Sequence, residues 1–521
     1  LQEHAAGEDS GRLAVVVPEG PAGAAVAGLV RVAGTENPGR TVLVTVDPAG
    51  PPAREAADLA LATGEPEVLV RPGEVLVPRL ARADAPEQPS DEPVFDPDGT
   101  VLITGGTGGL GRLVARHLVA AYGVRSLLLV SRRGEEAPGA GELAGDLAAL
   151  GASVRFRAAD VADRAALAEV IASVPDGYPL RGVVHLAGAL DDGVLPALTP
   201  ERLATVFGPK ADAAWHLHEL TRELELTAFV LYSSAAGVFG NGGQGNYAAA
   251  NAYLDGLARY RRAQGLPALS LAWGLWSEVS EMTSHLDDEA AEGISAGQGL
   301  ALFDAALRTG LAEVVPARVD LAGLRARSAD EGVPHLLRGL VRPPRKTAAT
   351  RQQSTATPAE RLAALAPEQR FPELYELVAG QVSAVLGLGG PESVGAHQAF
   401  REMGFDSLLG VELRNRLAKA TGLRLPATLV FDHPTPAAMT GQLLERLLPD
   451  EAAGPASVME ELDLLEKRLA QAAPEDEERA RIARRLKELA SAWDPGTDGI
   501  DFDAATDDEI FELADRELGL S

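Results

Sequence analysis

Short apolar runs broken by glycine and proline open the chain. Residues 13–17 (LAVVV), 42–46 (VLVTV), 68–70 (VLV) and 75–77 (VLV) read as strands, with a helix over Ala24–Val32 between the first two. Glu67–Arg71 and Glu74–Pro78 bracket Pro72-Gly73, which predicts a hairpin. No glycine cluster able to cradle a phosphate occurs here, so the segment reads as structural. A polar stretch, Ala83–Asp98, separates it from the next pattern.

From Thr100 to about Arg325 the pattern is a full strand–helix series. VLIT (101–104), SLLLV (126–130), VRFRAAD (154–160), GVVHLAG (182–188), AFVLYSS (228–234) and ALSLAW (268–273) predict successive parallel strands, with a helix over Leu113–Tyr122 after the first. That order is the mark of an α/β doubly wound sheet. Residues 341–366, rich in Pro, Thr, Arg and Gln, read as a linker. A helical stretch, Phe371–Leu448, follows, broken at Gly387–Pro391 and Leu425-Pro426. After Gly454-Pro455, Ser457-Val458-Met459-Glu460 forms a capping box, and Val458, Leu462, Leu465 and Leu469, then Ile482, Leu486 and Leu489, recur at helical spacing. The last segment, Asp494–Ser521, is acidic, with one amphipathic helix around Ile510–Leu518.

A length of 521 residues predicts three or four domains, and 46% hydrophobic with 23% charged residues is the balance of folded protein. The net charge of -28 argues against nucleic acid or an anionic membrane as partner and favours basic faces. With zero cysteines, disulfides, thiolate zinc sites and cysteine nucleophiles are excluded, which fits a cytoplasmic location. There is no run of 18 apolar residues and no signal-peptide pattern. The first residue is Leu1, so a fragment of a larger polypeptide is expected.

Thr104-Gly105-Gly106-Thr107-Gly108-Gly109-Leu110-Gly111 lies between a predicted strand and helix. Glycines let the backbone approach a pyrophosphate, and a helix start offers N–H donors and positive dipole. The second strand ends in Ser131-Arg132-Arg133, where NAD enzymes carry a carboxylate; guanidinium groups match a 2′-phosphate, so NADPH is expected. Asp160-Val161, after the third strand, is a position for holding adenine.

Ketone reduction needs a hydride donor, a proton donor for the forming alkoxide and a group that polarises the carbonyl. A tyrosine phenol does this poorly unless a nearby cation lowers its pKa. Ser234 falls at a strand end, and Tyr247 and Asn251 fall on one helix face. At these residues the chain resembles the short-chain dehydrogenase/reductase superfamily, through TGGTGGLG, the SSAAG run and YAAAN. Asn251 stands where ordinary members place lysine. Polyketide synthase ketoreductases take that lysine from an earlier helix, and Phe207-Gly208-Pro209-Lys210 is similar to their site. The resemblance implies Tyr247 as proton donor, Ser234 as hydrogen-bond donor to the carbonyl, and Lys210 as the cation that tunes Tyr247 and holds the ribose. Asn251 would order the helix and a water relay. The first segment is similar to the C-terminal half of the structural subdomain that precedes these catalytic domains.

In Leu190-Asp191-Asp192 the two aspartates are adjacent carboxylates without a histidine partner, which reads as a solvated loop. In the ketoreductases this signature implies a B-type enzyme delivering the 3R alcohol. Phe239, standing where A-type enzymes have Trp, and Ala249, which is not the Pro of the epimerising subtype, point to B1. Trp273, Trp276 and the loop through His285 read equally as a substrate lid or as core packing. His185, His216 and His218 form no metal pattern and read as structural; no metal is expected.

Ser407, within Gly404-Phe405-Asp406-Ser407-Leu408-Leu409, falls at a helix start, where it could equally be an N-cap or carry a phosphate. GFDSLLGVELRNRL and Phe431-Asp432-His433-Pro434-Thr435 are similar to an acyl carrier protein, which implies 4′-phosphopantetheine on Ser407. The tail could be a solvated coiled coil. Its place after a carrier resembles a C-terminal docking domain, whose 457–490 helices would form a homodimer and whose acidic end would meet the N-terminal docking coiled coil of the next synthase subunit.

The expected organisation is a partial structural subdomain (1–97), a catalytic subdomain (98–335), a linker (336–367), an all-α carrier four-helix bundle (368–449) and an α-helical docking tail (456–521). The resemblance as a whole is to the C-terminal part of a modular polyketide synthase. It implies reduction of a carrier-bound β-ketoacyl thioester supplied by upstream ketosynthase and acyltransferase domains. The competing readings are a carrier and docking fragment with a silent reductase, and a generic dehydrogenase fused to a carrier.

Overall fold

The computed structural model describes residues 1–6, 11–83, 93–277, 293–331, 333–341, 358–386, 388, 390–405, 407–423, 425–426 and 428–448. Two units separate, Leu1–Leu447 and Leu448–Ser521. The expected docking helices and the loop through His285 lie outside the described residues.

The first segment folds as a four-stranded sheet: β1 (Leu13–Pro18), β2 (Thr41–Val46), β3 (Glu67–Arg71) and β4 (Glu74–Leu76), in the order β1-β2-β3-β4. β1, β2 and β3 run parallel, and β3–β4 is the antiparallel hairpin expected at Pro72-Gly73, with Gly73 at φ 76. The helix after β1 runs over Pro21–Glu36, past both ends of the expected Ala24–Val32. A second helix, Ala53–Thr63, was not predicted; its alanine-rich face buries only Ala56 and Ala60, so little periodicity marks it.

The second sheet holds seven strands: β5 (Thr100–Thr104), β6 (Ser126–Ser131), β7 (Ser153–Ala158), β8 (Leu180–His185), β9 (Ala228–Ser234), β10 (Leu269–Trp273) and β11 (Glu313–Val314). Their order is β11-β10-β9-β8-β5-β6-β7, and every pairing is parallel. Such a sheet buries both faces of its inner strands, which is why they read as unbroken apolar runs, whereas the edge strand β7 carries Arg155 and Arg157 and is partly exposed. Val101, Ile103, Leu127 and Val184 pack on one side, and Leu102, Leu128, Val183 and Phe229 on the other. Strand order reverses between β5 and β8, and the crevice beyond their C-terminal ends is where such folds bind ligands. The polar stretch before β5 hides one core residue: Phe95 is fully buried, with its ring 5.3 Å from Tyr122 and 6.5 Å from Phe303. Trp273 and Trp276 are buried 4.8 Å apart in the same core.

The two sheets are joined by a close helix crossing. The Pro21–Glu36 helix lies on the Gly245–Ala263 helix, and a Cβ on Gly28 would sit 2.5 Å from the Ala248 carbonyl oxygen. Only glycine admits that approach. Arg31 adds a polar tie, donating Nε to Glu67 at 2.9 Å and Nη1 to the Gly237 carbonyl at 2.8 Å.

The carrier region is helical: Pro367–Leu386, Ser407–Thr421, Leu429–Asp432 and Pro436–Leu447 enclose Val378, Val382, Phe400, Leu413, Leu417, Met439 and Leu443. Among the described residues no helix is long and apolar enough to cross a membrane.

Candidate active site

The glycine turn follows β5 directly. Gly105 takes φ 66, and a Cβ on Gly111 would collide with the Gly105 carbonyl oxygen and lie 2.7 Å from the Gly106 Cα. The Gly109–Tyr122 helix begins at the turn, four residues before the expected start, and its N-cap Gly108 offers no side chain to the first-turn N–H groups. Those donors remain open, and a pyrophosphate is the ligand such a helix end accommodates. Thr107 holds the loop through its carbonyl, which accepts from Arg112 Nε at 2.9 Å; Leu110 is half-buried beneath.

At the end of β6, Ser131 Oγ accepts from Gly134 N at 3.0 Å, while Arg132 and Arg133 are exposed and make no ion pair among the described residues. Their freedom suits an anion not yet paired. Asp160 closes a turn by accepting from Ala162 N at 3.0 Å, beside buried Val161. The donor set fits a phosphorylated dinucleotide laid from the glycine turn towards β6.

Three elements bring the expected catalytic residues together. Ser234 ends β9 and caps the next short helix, accepting from Ala236 N at 3.2 Å. Tyr247 and Asn251 lie one turn apart on the Gly245–Ala263 helix, and Asn251 Nδ2 donates to the Tyr247 carbonyl at 2.8 Å. Lys210 sits in a wide π-type turn, Gly208–Asp212, between two helical segments. Such turns widen the backbone locally and often accompany function. Its ammonium lies 5.5 Å from the Tyr247 ring centroid and donates to the Tyr232 carbonyl at 2.9 Å. Asn251 Oδ1 is buried with no partner among the described residues, a position that fits a bound water.

Burial is the largest influence on both ionisable groups. It pushes Lys210 down to about 8, with the Asp255 charge opposing. It raises the Tyr247 phenol; hydrogen bonds from Ser234 and Asn251 pull it down, and the Asp192 charge adds to the rise. The lowering expected of a neighbouring lysine therefore does not set the net direction. A phenol held up is protonated at neutral pH, the state a proton donor needs.

Leu190-Asp191-Asp192 is a tethered loop. Asp191 accepts from Arg202 Nη2 at 2.7 Å and from Arg202 Nε at 3.0 Å, and its carbonyl accepts from Asn246 Nδ2 at 2.8 Å. Asp192 accepts from Gln244 Nε2 at 2.9 Å. The reading of a merely solvated loop gives way to one pinned beside Tyr247.

Two further side chains support the site, one read from the sequence as structural and one not singled out there. His185, read as structural, ends β8 fully buried and joins the cofactor turn to the lysine turn. Its Nδ1 is 2.7 Å from Thr104 Oγ1 and its Nε2 is 2.9 Å from the Lys210 carbonyl. Asp255 lies fully inside, accepting from Ser270 Oγ at 2.6 Å, with a pKa pushed up to about 7, first by burial and then by the Glu313 charge. A histidine ending a strand beside the glycine turn was the available signal for the first; nothing local marks the second.

In the carrier region, Ser407 is the first residue of the Ser407–Thr421 helix. Among the described residues no group of three or more His, Asp and Glu side chains converges as a metal site.

Comparisons with known proteins agree with this geometry. Residues 99–278 match the KR domain family, and residues 7–80 match the Rossmann fold domain of polyketide synthase extender module SpnB. Residues 376–443 match the phosphopantetheine attachment site and 450–512 the erythronolide synthase docking family. The chain is 57% identical over 436 residues to the spectinabilin polyketide synthase system protein NorA' of Streptomyces orinoci, which covers 82% of this chain and 12% of that protein. It is 49% identical to polyketide synthase GfsB of Streptomyces halstedii, over 96% of this chain and 9% of that protein. The chain thus spans about a tenth of these relatives' length. Among solved structures, PlmKR1, the ketoreductase from the first module of phoslactomycin biosynthesis in Streptomyces sp. HK803, is 37% identical with a TM-score of 0.57, over 65% of this chain and 83% of that one. An A1-type ketoreductase is 38% identical with a TM-score of 0.57, over 63% and 73%. A ketoreductase domain implies NADPH, and a phosphopantetheine attachment domain implies that arm, covalently bound. The chain belongs to the modular polyketide synthases, and carries an oxidoreductase domain of their ketoreductase family followed by carrier and docking domains.

Proposed function

We propose that this chain reduces a β-ketoacyl thioester, held on 4′-phosphopantetheine at Ser407, to the (3R)-β-hydroxyacyl thioester without epimerisation. The observation that carries the reading is the convergence of Lys210, from a turn distant in sequence, on the Tyr247 ring in the crevice beyond β5 and β8. Bound NADPH would supply hydride to the carbonyl carbon. The glycine turn and the open N-terminus of the Gly109–Tyr122 helix would hold its pyrophosphate, Arg132 and Arg133 its 2′-phosphate, Asp160 and Val161 its adenine, and Lys210 its ribose. Ser234 would donate a hydrogen bond to the substrate carbonyl and Tyr247 would give its phenolic proton to the forming alkoxide. Asn251 would order a water that returns the proton. The pinned Leu190-Asp191-Asp192 loop would steer the arm to one side of the cleft, as expected of a B1 enzyme.

In the larger assembly, ketosynthase and acyltransferase domains upstream would supply the β-ketoacyl chain. The tail would form a homodimer and meet the N-terminal docking coiled coil of the next subunit, in the cytoplasm. The organisation proposed is 1–97 and 98–335 for the two reductase subdomains, 368–449 for the carrier and 456–521 for docking. The test is chiral analysis of the product from an α-methyl β-ketoacyl thioester. The (3R)-alcohol with unchanged α-configuration is expected; a (3S) product or an inverted methyl centre overturns the stereochemical assignment, and no NADPH oxidation overturns the reductase.

A further inference from the structure

Glu36, the last residue of the Pro21–Glu36 helix, belongs to the sheet that carries no catalytic group, yet its carboxylate is fully buried. Its Oε2 accepts from Leu195 N at 2.9 Å and its Oε1 from Gly243 N at 2.8 Å. Leu195 follows the Asp191-Asp192 loop and Gly243 precedes Tyr247. The same two loops meet directly, with Gly193 N donating to the Gly243 carbonyl at 2.6 Å and Gln244 reaching Asp192. One carboxylate therefore ties both loops together.

Two N–H donors leave a buried carboxylate short of positive charge. Burial pushes the Glu36 pKa up; the Gly243 and Leu195 N–H groups oppose it, and last the charge of Arg414, on the carrier's Ser407–Thr421 helix and 2% exposed. Arg414 Nη1 donates to Asn415 Oδ1 at 2.7 Å, while its Nε and Nη2 have no hydrogen-bond partner among the described residues. Next to it, Asn415 Nδ2 donates to the Thr35 carbonyl at 3.1 Å. Thr35 is in the last turn of its helix, where carbonyls lack intrahelical partners and the dipole favours cations. Asn415 thus contacts the helix end whose last residue the Arg414 charge acts on. Asn415 is eight residues along the helix that Ser407 begins, roughly 12 Å at the helical rise.

We propose that the carrier domain docks on the reductase at the C-terminal end of the Pro21–Glu36 helix, with Arg414 and Asn415 engaging Glu36 and Thr35, so that the arm is delivered at the loops flanking Tyr247. The proposal rests on the reductase reading and adds to it a delivery surface, on the non-catalytic subdomain.

The test uses the full chain, wild type and Arg414→Ala/Asn415→Ala, each loaded at Ser407 with the same β-ketoacyl group. Single-turnover NADPH oxidation of the tethered substrate is compared with steady-state reduction of a free diketide N-acetylcysteamine thioester. The double variant is expected to lose roughly tenfold on the tethered substrate, with the free substrate unaffected; Arg414→Lys, retaining the charge, recovers part of the loss. Equal loading by a phosphopantetheinyl transferase confirms that the variant carrier is folded. Tethered rates unchanged in the double variant, or falling in parallel with free-substrate rates, overturn the docking site. Wild type inert towards the free thioester overturns the reductase reading instead.

Discussion

Replacing His185 by Phe would test whether the cofactor turn and the lysine turn are mechanically one unit. Thr104 Oγ1 accepts from Leu186 N and Ala187 N, each at 3.2 Å, so its proton points to His185 Nδ1. The Lys210 carbonyl can only accept, so Nε2 carries the imidazole proton. Burial first, and the Lys210 charge second, push the pKa to about 3, which keeps this neutral tautomer throughout the working pH range. Phenylalanine fills nearly the same volume but strands the buried Thr104 O–H donor, while the Lys210 carbonyl keeps only the Ala213 N–H. At about 1–3 kcal/mol for a stranded buried donor, the expected loss is about 1–3 kcal/mol. Urea denaturation followed by near-UV circular dichroism would read it as a lower midpoint with unchanged slope. Because the strain falls between Thr104 and Lys210, NADPH affinity and kcat should both decline. A variant with wild-type midpoint and wild-type kinetics would refute the reasoning, since it would mean that neither bond restrains the site.

Tyr247→Phe should lower kcat by about 10²–10⁴-fold while NADPH binding, followed by fluorescence titration, stays intact; loss of binding instead would contradict a proton-donor role. Arg132→Ala/Arg133→Ala should raise the KM for NADPH and leave that for NADH nearly unchanged, and equal effects on both would remove these residues from 2′-phosphate recognition. With Lys210 lowered to about 8, its ammonium is present below that pH and lost above it, so log(kcat/KM) should fall as pH rises through about 8; a profile flat up to pH 10 would contradict it. Gly111→Ala should abolish NADPH binding, because the added methyl meets the Gly105 carbonyl; retained affinity would show that the turn has room to shift.

Much of the catalytic sheet could be read directly. β9 coincides with the predicted AFVLYSS run, and apolar runs fall on β5, β6, β8 and β10, because strands covered on both faces demand continuous hydrophobic sequence; the predicted VRFRAAD run falls on the partly exposed edge strand β7. β11 has only two residues and carries no such run. The Ala53–Thr63 helix stayed hidden because alanines of ambiguous polarity form its inner face. Within the site, Ser234, Tyr247 and Asn251 were accessible from strand and helix periodicity, whereas the place of Lys210 came from family resemblance, since no local spacing ties it to Tyr247. Glu36 and Asp255 were invisible for a different reason. A charged residue in a helix reads as solvent-facing, and only the tertiary crossing at Gly28 and the packing of the Gly245–Ala263 helix bury them.

Mass spectrometry of the phosphopantetheine arm tests the central claim most directly. The full chain, loaded at Ser407 with a β-ketoacyl group and given NADPH, should release an ejected arm heavier by two hydrogens, and Tyr247→Phe should leave the arm at its starting mass. An arm unchanged in the wild type, or equally reduced in the variant, would contradict the account.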